Sequence, residues 1–211
     1  FAFSAFCLQA VEKKPSGLMT DLIEHTGQTW QNGYASNLPV WQLDEAVEPL
    51  QYAAIRSAHP AFSWIVPGKT GGTRQTAYRV IVADNREDAA FGRGNLWDSG
   101  VVGSDRSVAV RYTGEALEPG KSYFWRVKTV TNTEGESEWS DVKAFRTADR
   151  LSEYETAYYP QVKTMEFPTG IKEIRPGTCL VDFGKDAFGQ LVLTLVSDGT
   201  RDSVVVHLGG C

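Results

Sequence analysis

The chain is poor in the residues that usually carry covalent or metal chemistry, with three Cys, three His and two Met among 211 residues. Three Cys exclude a disulfide-dense scaffold, and three isolated His, His25, His59 and His207, cannot easily supply a His-rich metal site. It also lacks a basic run: Lys+Arg total 21 against Asp+Glu 26, a formal net charge of -5. A nucleic-acid partner held by phosphate neutralisation is therefore not expected. No apolar stretch reaches the roughly 20 residues a helix needs to cross a bilayer, so no membrane span is expected. The nucleophile elbow Gly-x-Ser-x-Gly is absent, and no Cys–His pairing is suggested. Gly92-x-Gly94 lacks the third glycine and the following helix of a dinucleotide fingerprint, and reads as a flexible loop. Asp182-Phe183-Gly184 spells the kinase metal triplet, but no Gly-rich phosphate loop, strand Lys or His-Arg-Asp loop accompanies it. Asp182 is expected to shape the turn after its strand. The acidic residues cluster in turns, as at Asp84, Glu87 and Asp88 or Glu134, Glu136 and Glu138, where carboxylates stay solvated. No cofactor and no metal is called for.

What the chain has instead is 6 Trp, 8 Tyr and 20 Gly. Aromatic residues suit a pleated, half-buried surface and Gly suits turns, so the expectation is an all-β fold. From 60 to 147 strand signals recur, separated by turn residues: 62–66, 77–83, 97–102, 107–112, 123–130 and 142–147, with Trp139-Ser140 as a further short piece. In 123–130, Tyr123, Trp125, Val127 and Thr129 share one face and Arg126 and Lys128 the other. About seven candidates in so short a stretch point to an immunoglobulin-like or fibronectin type III-like β-sandwich.

Residues 17–59 are less regular. Segment 18–23 is either a first strand or a short helix. Leu43, Val47, Leu50 and Ala54 fall at helical spacing, but Pro49 interrupts it, and 51–57 is the alternative first strand. After a charged stretch near 148–154, runs at 179–183, 190–196 and 203–208 read as strands of a second, incomplete β-sandwich. The expected organisation is a leader remnant or linker at 1–17, a sandwich with an irregular extension at 18–148, and the partial second module at 149–211.

Residues 1–10 are apolar and too short to cross a bilayer, and they read as the later part of a secretory signal; the alternative is a hydrophobic terminal strand. Export is the expectation, to the periplasm, the cell surface or the medium. Cys7 would leave with the signal. Cys179 is expected to be buried in a strand and Cys211 to be incidental, with a Cys179–Cys211 bridge as the alternative.

Pro60-Ala61-Phe62-Ser63-Trp64, Gln75-Thr76-Ala77-Tyr78-Arg79-Val80, Trp97-Asp98-Ser99-Gly100, Tyr123-Phe124-Trp125-Arg126-Val127 and Ser137-Glu138-Trp139-Ser140 follow one another in this order. The set resembles the fibronectin type III-like module at the N-terminus of bacterial α-L-rhamnosidases, glycoside hydrolase family 78. Val181-Asp182-Phe183-Gly184 and the alternating run after it resemble the start of the family's next β-sandwich, although Gly210 and Cys211 stand where the family pattern has an acidic residue. The resemblance implies a non-catalytic accessory role, with catalysis by inversion on a downstream α/α barrel, and that barrel as partner, alongside plant polysaccharide or rhamnoside. It transfers no catalytic residue to this chain. The rival reading is a free-standing carbohydrate-binding or adhesion module.

Trp64, Trp125 and Tyr123 lie within apolar strands and are assigned to the core. Trp30, Tyr34 and Trp41 sit in a polar, turn-rich stretch and are the candidate contact residues. They would pack against a neighbouring domain, stack on a sugar ring, or cover the sandwich.

Overall fold

The computed structural model describes residues 13–152, 155–194, 196, 199 and 203–209. It divides into two compact units, Phe1–Lys163 and Thr164–Cys211. The expectations for residues 1–10, Cys7 and Cys211 lie outside the described residues.

The first unit carries thirteen strands among its described residues: β1 (Ser16–Thr20), β2 (Thr29–Gln31), β3 (Tyr34–Ala35), β4 (Gln51–Tyr52), β5 (Ala54–Ile55), β6 (Ala61–Ile65), β7 (Gln75–Ala83), β8 (Trp97–Asp98), β9 (Val102–Gly103), β10 (Val110–Arg111), β11 (Ser122–Thr131), β12 (Gly135–Glu136) and β13 (Lys143–Thr147). A 3-10 segment spans Val40–Glu45, and one short helix, α1, spans Arg86–Ala90. One sheet has the order β1-β6-β10, the larger one β5-β13-β11-β7-β8, with β12 also on β11 and β9 also on β7. All these pairings are antiparallel except β5 with β13. This is an immunoglobulin-like sandwich. A third small sheet, β3-β2-β4, belongs to the extension before β6.

The alternation in β11 decides the layering. Tyr123, Trp125, Val127 and Thr129 are buried between the sheets against Phe62, Trp64, Val80, Val82 and Phe145. A buried indole N–H needs an acceptor. Trp125 Nε1 donates to Thr20 Oγ1 at 3.1 Å and Trp64 Nε1 to Gln75 Oε1 at 2.9 Å. At the start of β11 the Glu118 N–H donates to the Tyr123 hydroxyl at 2.9 Å, so the ring anchors the loop that leads into the strand.

Three serines fasten the strands that break off beside this core. Ser99 N–H donates to Val80 O, and Val80 N–H donates back to Ser99 Oγ at 2.9 Å. Ser137 does the same with Thr129 (N–H to Oγ, 3.0 Å) and Ser140 with Val127 (3.1 Å). Each hydroxyl replaces a carbonyl where the neighbouring strand leaves the ladder, which keeps the central N–H groups satisfied. This explains why 97–102 forms two short strands, β8 and β9, rather than one. It also explains why Trp139-Ser140 is not a strand.

The outer face of the larger sheet is covered at one end by a second cluster, in which Val40 and Ala89 pack on Ala83, Phe124 and Ala144. Asn85 caps α1 by accepting from Asp88 N–H at 2.8 Å. At the other end of α1, Arg126 donates to Ala90 O at 2.7 Å and through Nε to Ser140 O at 2.7 Å. Beside it, Trp139 lies within 6 Å of three cations, Arg79 at 5.8 Å, Arg126 at 5.9 Å and Lys128 at 5.3 Å.

Between the sheets, Tyr112 is almost fully buried, and burial pushes its phenol up from 10.0 to about 12. A raised folded pKa means that the native state holds the proton longer than the unfolded chain. The stabilisation is complete below pH 10 and fades as pH rises from about 10 to 12. Denaturant midpoints measured across that window should fall, and fall less steeply in Tyr112→Phe. Equal slopes in the two proteins would contradict this placement of the phenol.

The helical spacing of Leu43, Val47, Leu50 and Ala54 does not produce an α-helix. The chain forms the 3-10 segment, then β4 and β5, consistent with Pro49 breaking the pattern. Segment 18–23 is resolved in favour of a strand, β1, closed by a tight turn in which Thr20 and Ile23 exchange backbone hydrogen bonds. Gly94 does not sit in an open loop: a Cβ there would approach Trp97 O to 2.1 Å.

The second unit contains one hairpin among its described residues, β14 (Gly170–Arg175) with β15 (Thr178–Asp182). Cys179 lies in β15, as expected, but it is exposed rather than buried, because β15 pairs with β14 alone among the described residues and no layer covers it. Asp182 accepts from Gly184 N–H at 2.7 Å and shapes the turn. The described parts of 190–196 and 203–208 form no strand, since a strand needs a ladder partner and none pairs with them.

Candidate interaction surface

The extension before β6 is built on a tight hairpin. Asn32 and Gly33 both have positive φ, 51° and 88°, the geometry of a two-residue turn matching the twist of its strands. The turn pairs Gln31 with Tyr34 and Trp30 with Ala35. Directly opposite residues share a face and successive residues alternate. Trp30 and Tyr34 therefore point to opposite sides.

Trp30 is 2% exposed, and its ring meets Tyr159 edge-on at 4.9 Å. It is a core residue of the extension. Tyr34 is 39% exposed, beside Gln31, whose amide donates to Glu48. Trp41, on the 3-10 segment, is 38% exposed; one side packs on Phe124 at 5.7 Å, and the Arg86 guanidinium lies 5.9 Å from the ring centre. The three candidates occupy three separate settings, and among the described residues they make no ring contact with one another.

The chain after β13 supplies what the sequence reading missed. Lys163 N–H donates to Gly33 O at 2.7 Å, so this segment crosses the tip of the hairpin. Tyr158 is 64% exposed with Arg56 5.6 Å from its ring centre, and Arg56 also pairs with Glu155. Tyr159 is 40% exposed, covers Trp30, lies 6.2 Å from His25, and has its phenol raised by burial. The signal is present as adjacent tyrosines before Pro160, in the part of the chain assigned from sequence to the partial second module, 149–211.

An ion pair and a hydrogen bond hold this extension to the sandwich. Arg146, buried on β13, donates to Asp44 at 2.9 Å, and Thr26 Oγ1 donates to Ala144 O at 2.7 Å. Burial pushes the nearby Tyr52 phenol up, with Asp149 adding to the effect. The resulting surface presents Tyr159 packed on Trp30, Tyr158 beside the Arg56 guanidinium, and Tyr34 exposed on the hairpin. That arrangement suits stacking and hydrogen bonding. Among the described residues no three His, Cys, Asp or Glu side chains converge to hold a metal.

The sequence model of the Rha78A-like N-terminal immunoglobulin domain matches residues 44–149. The chain belongs to this family. The matched part of this Rha78A-like chain runs from the 3-10 segment through β13, so Trp30, Tyr34 and Trp41 precede it and Tyr158 and Tyr159 follow it. A Streptomyces avermitilis protein named alpha-L-rhamnosidase is 44% identical over 84 residues, 40% of this chain and 8% of the relative. A Formosa agariphila protein of the same name is 34% identical over 93 residues, 44% of this chain and 10% of the relative. The solved alpha-L-rhamnosidase from Dictyoglumus thermophilum aligns at 36% identity over 47% of this chain and 11% of its own, with a TM-score of 0.44. The Rha78A-like chain thus spans about a tenth of the length of the curated relatives it matches.

Proposed function

We propose that this chain is the N-terminal accessory region of an exported α-L-rhamnosidase-like glycoside hydrolase, acting as a scaffold without chemistry of its own. The observation that carries this is the family match over residues 44–149, in a chain that spans about a tenth of relatives named alpha-L-rhamnosidase. The whole protein would hydrolyse terminal α-L-rhamnosides of plant polysaccharides or glycosides with inversion, on a barrel domain that is this region's partner.

Inversion requires two carboxyl groups about 6.5–9.5 Å apart, one of them protonated at working pH. Among the described residues of the first unit, the carboxylates with shifted acidity are shifted the other way. Arg79 holds the Asp98 carboxyl below the usual range, and the Asn85 side chain does so for Asp88. Both serve the fold: Asp98 ties Arg79 on β7 to β8, and Asp88 closes the cap of α1. A rigid sandwich with a well-packed core is a suitable body for another domain to pack against. Export rests on the apolar residues 1–10. Among the described residues no helix is long and apolar enough to cross a membrane.

The purified 211-residue chain is expected to release no phenolate from an aryl α-L-rhamnoside above the buffer rate. Turnover that disappears on replacing one carboxylate by its amide would overturn the scaffold reading. The parent gene should continue into a frame of several hundred residues with an α/α pattern.

A further inference from the structure

At one end of the first sandwich, Lys143 opens β13 and stands opposite Trp125 in the register with β11. Opposite residues share a face, and Trp125 is buried between the sheets, so the Lys143 stem also turns inward. Among the described residues its amine has neither a hydrogen bond nor an ion pair. Burial pushes that amine below the usual lysine range, with Glu24 acting in the opposite direction.

Lys143 lines a cavity of about 250 Å³ between β1 and β13. Glu24, Asp141 and Lys143 supply its polar wall, and Pro15, Leu18 and Val142 its apolar part. Pockets for drug-sized ligands run to about 300–1,000 Å³, so this one suits a smaller guest. Asp141 is already engaged by Lys14 at 2.8 Å. That leaves Glu24 and Lys143, one charge of each sign, and a charged guest would meet a like charge at close range. A neutral polyol avoids this, because its hydroxyls donate to Glu24 and accept from Lys143 while its ring carbons lie on the apolar side.

We propose that this cavity binds a neutral, polyhydroxylated ligand the size of one sugar ring. The site is separate from the tyrosine surface and goes beyond the scaffold role, resting on that role only for the choice of L-rhamnose as first probe.

The test is calorimetric titration of the 211-residue chain with L-rhamnose, D-glucose and sodium acetate. Saturable binding of a neutral sugar is expected, with a dissociation constant in the millimolar range, about a thousandfold weaker than a micromolar ligand. Lys143→Met keeps the stem beside Trp125 and should weaken binding at least tenfold with an unchanged circular dichroism spectrum. Glu24→Gln, on an exposed residue, should do likewise if Lys143→Met fails to fold. The bound sugar should also slow acetylation of Lys143, read by mass spectrometry, while leaving Lys69 unaffected. Acetate binding in place of sugars, or sugar binding indifferent to both substitutions, overturns the proposal. Binding of D-glucose without L-rhamnose supports the cavity and counts against the rhamnoside reading of the parent. No binding by either sugar removes the cavity site and leaves the scaffold role untouched.

Discussion

Trp30→Ala is expected to destabilise the first unit by about 3–5 kcal/mol, the range for truncating a buried aromatic residue. The ring is almost fully enclosed by the extension and by Tyr159, so its removal opens a void that the short β2–β3 hairpin cannot fill. The loss should also loosen the tyrosine-bearing segment, since Tyr159 packs on Trp30 and Lys163 bonds to Gly33 in the same hairpin. Trp41→Ala provides the contrast. That ring keeps a large exposed face and makes one principal aromatic contact, with Phe124, so a cost near 1 kcal/mol is expected. Urea unfolding of the two variants measures the difference. Near-equal midpoints would mean that Trp30 is not the centre of the extension.

The difference bears on function. From sequence, Trp30 and Trp41 look alike, two tryptophans in a polar stretch. A sugar ring stacks on an exposed aromatic face, and Trp30 has none to offer, so a loss of binding on Trp30→Ala would report unfolding rather than a lost contact. Tyr158 and Tyr34 are the informative substitutions for any contact made by this surface.

How far the sequence revealed the structure depended on the range of the interactions involved. The strands around Phe62, Val80 and Trp125 were legible because each repeats a two-residue alternation long enough to exclude a helix. The β2–β3 hairpin was missed although Asn32-Gly33 is a strong local turn signal, because its strands are only three and two residues long and carry little alternation. The parallel pairing of β5 with β13 and the docking of residues 155–163 on the hairpin have no local signature. They join segments about ninety or more positions apart, through contacts that only the folded chain brings together. The exposed setting of Cys179 was equally illegible, since an apolar run reads as buried until the partner layer is found.

The serine closures lead to the second large effect, a loss of about 2–5 kcal/mol in the double variant Ser137→Ala with Ser140→Ala. An unsatisfied buried donor costs about 1–3 kcal/mol, and each substitution leaves one N–H of β11 without its hydroxyl acceptor. The two positions are not equivalent. Ser140 is fully buried and its hydroxyl also donates to Asp141 O, so water cannot replace it at Val127. Ser137 is only half-buried, and a water molecule can take over at Thr129. Ser140→Ala should therefore account for most of the loss. Ser140→Ala should also free the segment that holds Trp139 beside Arg126 and Lys128, adding a packing cost that Ser137→Ala does not share. Denaturant midpoints of the two single variants and the double variant separate these contributions, with the slope of unfolding unchanged. Hydrogen exchange offers an independent reading: the amide of Val127 should lose protection in Ser140→Ala and the amide of Thr129 in Ser137→Ala. Retained protection at Val127 in Ser140→Ala would show that the ladder closes without the hydroxyl. In that case the Ser-x-x-Ser spacing would owe its place to Trp139 alone.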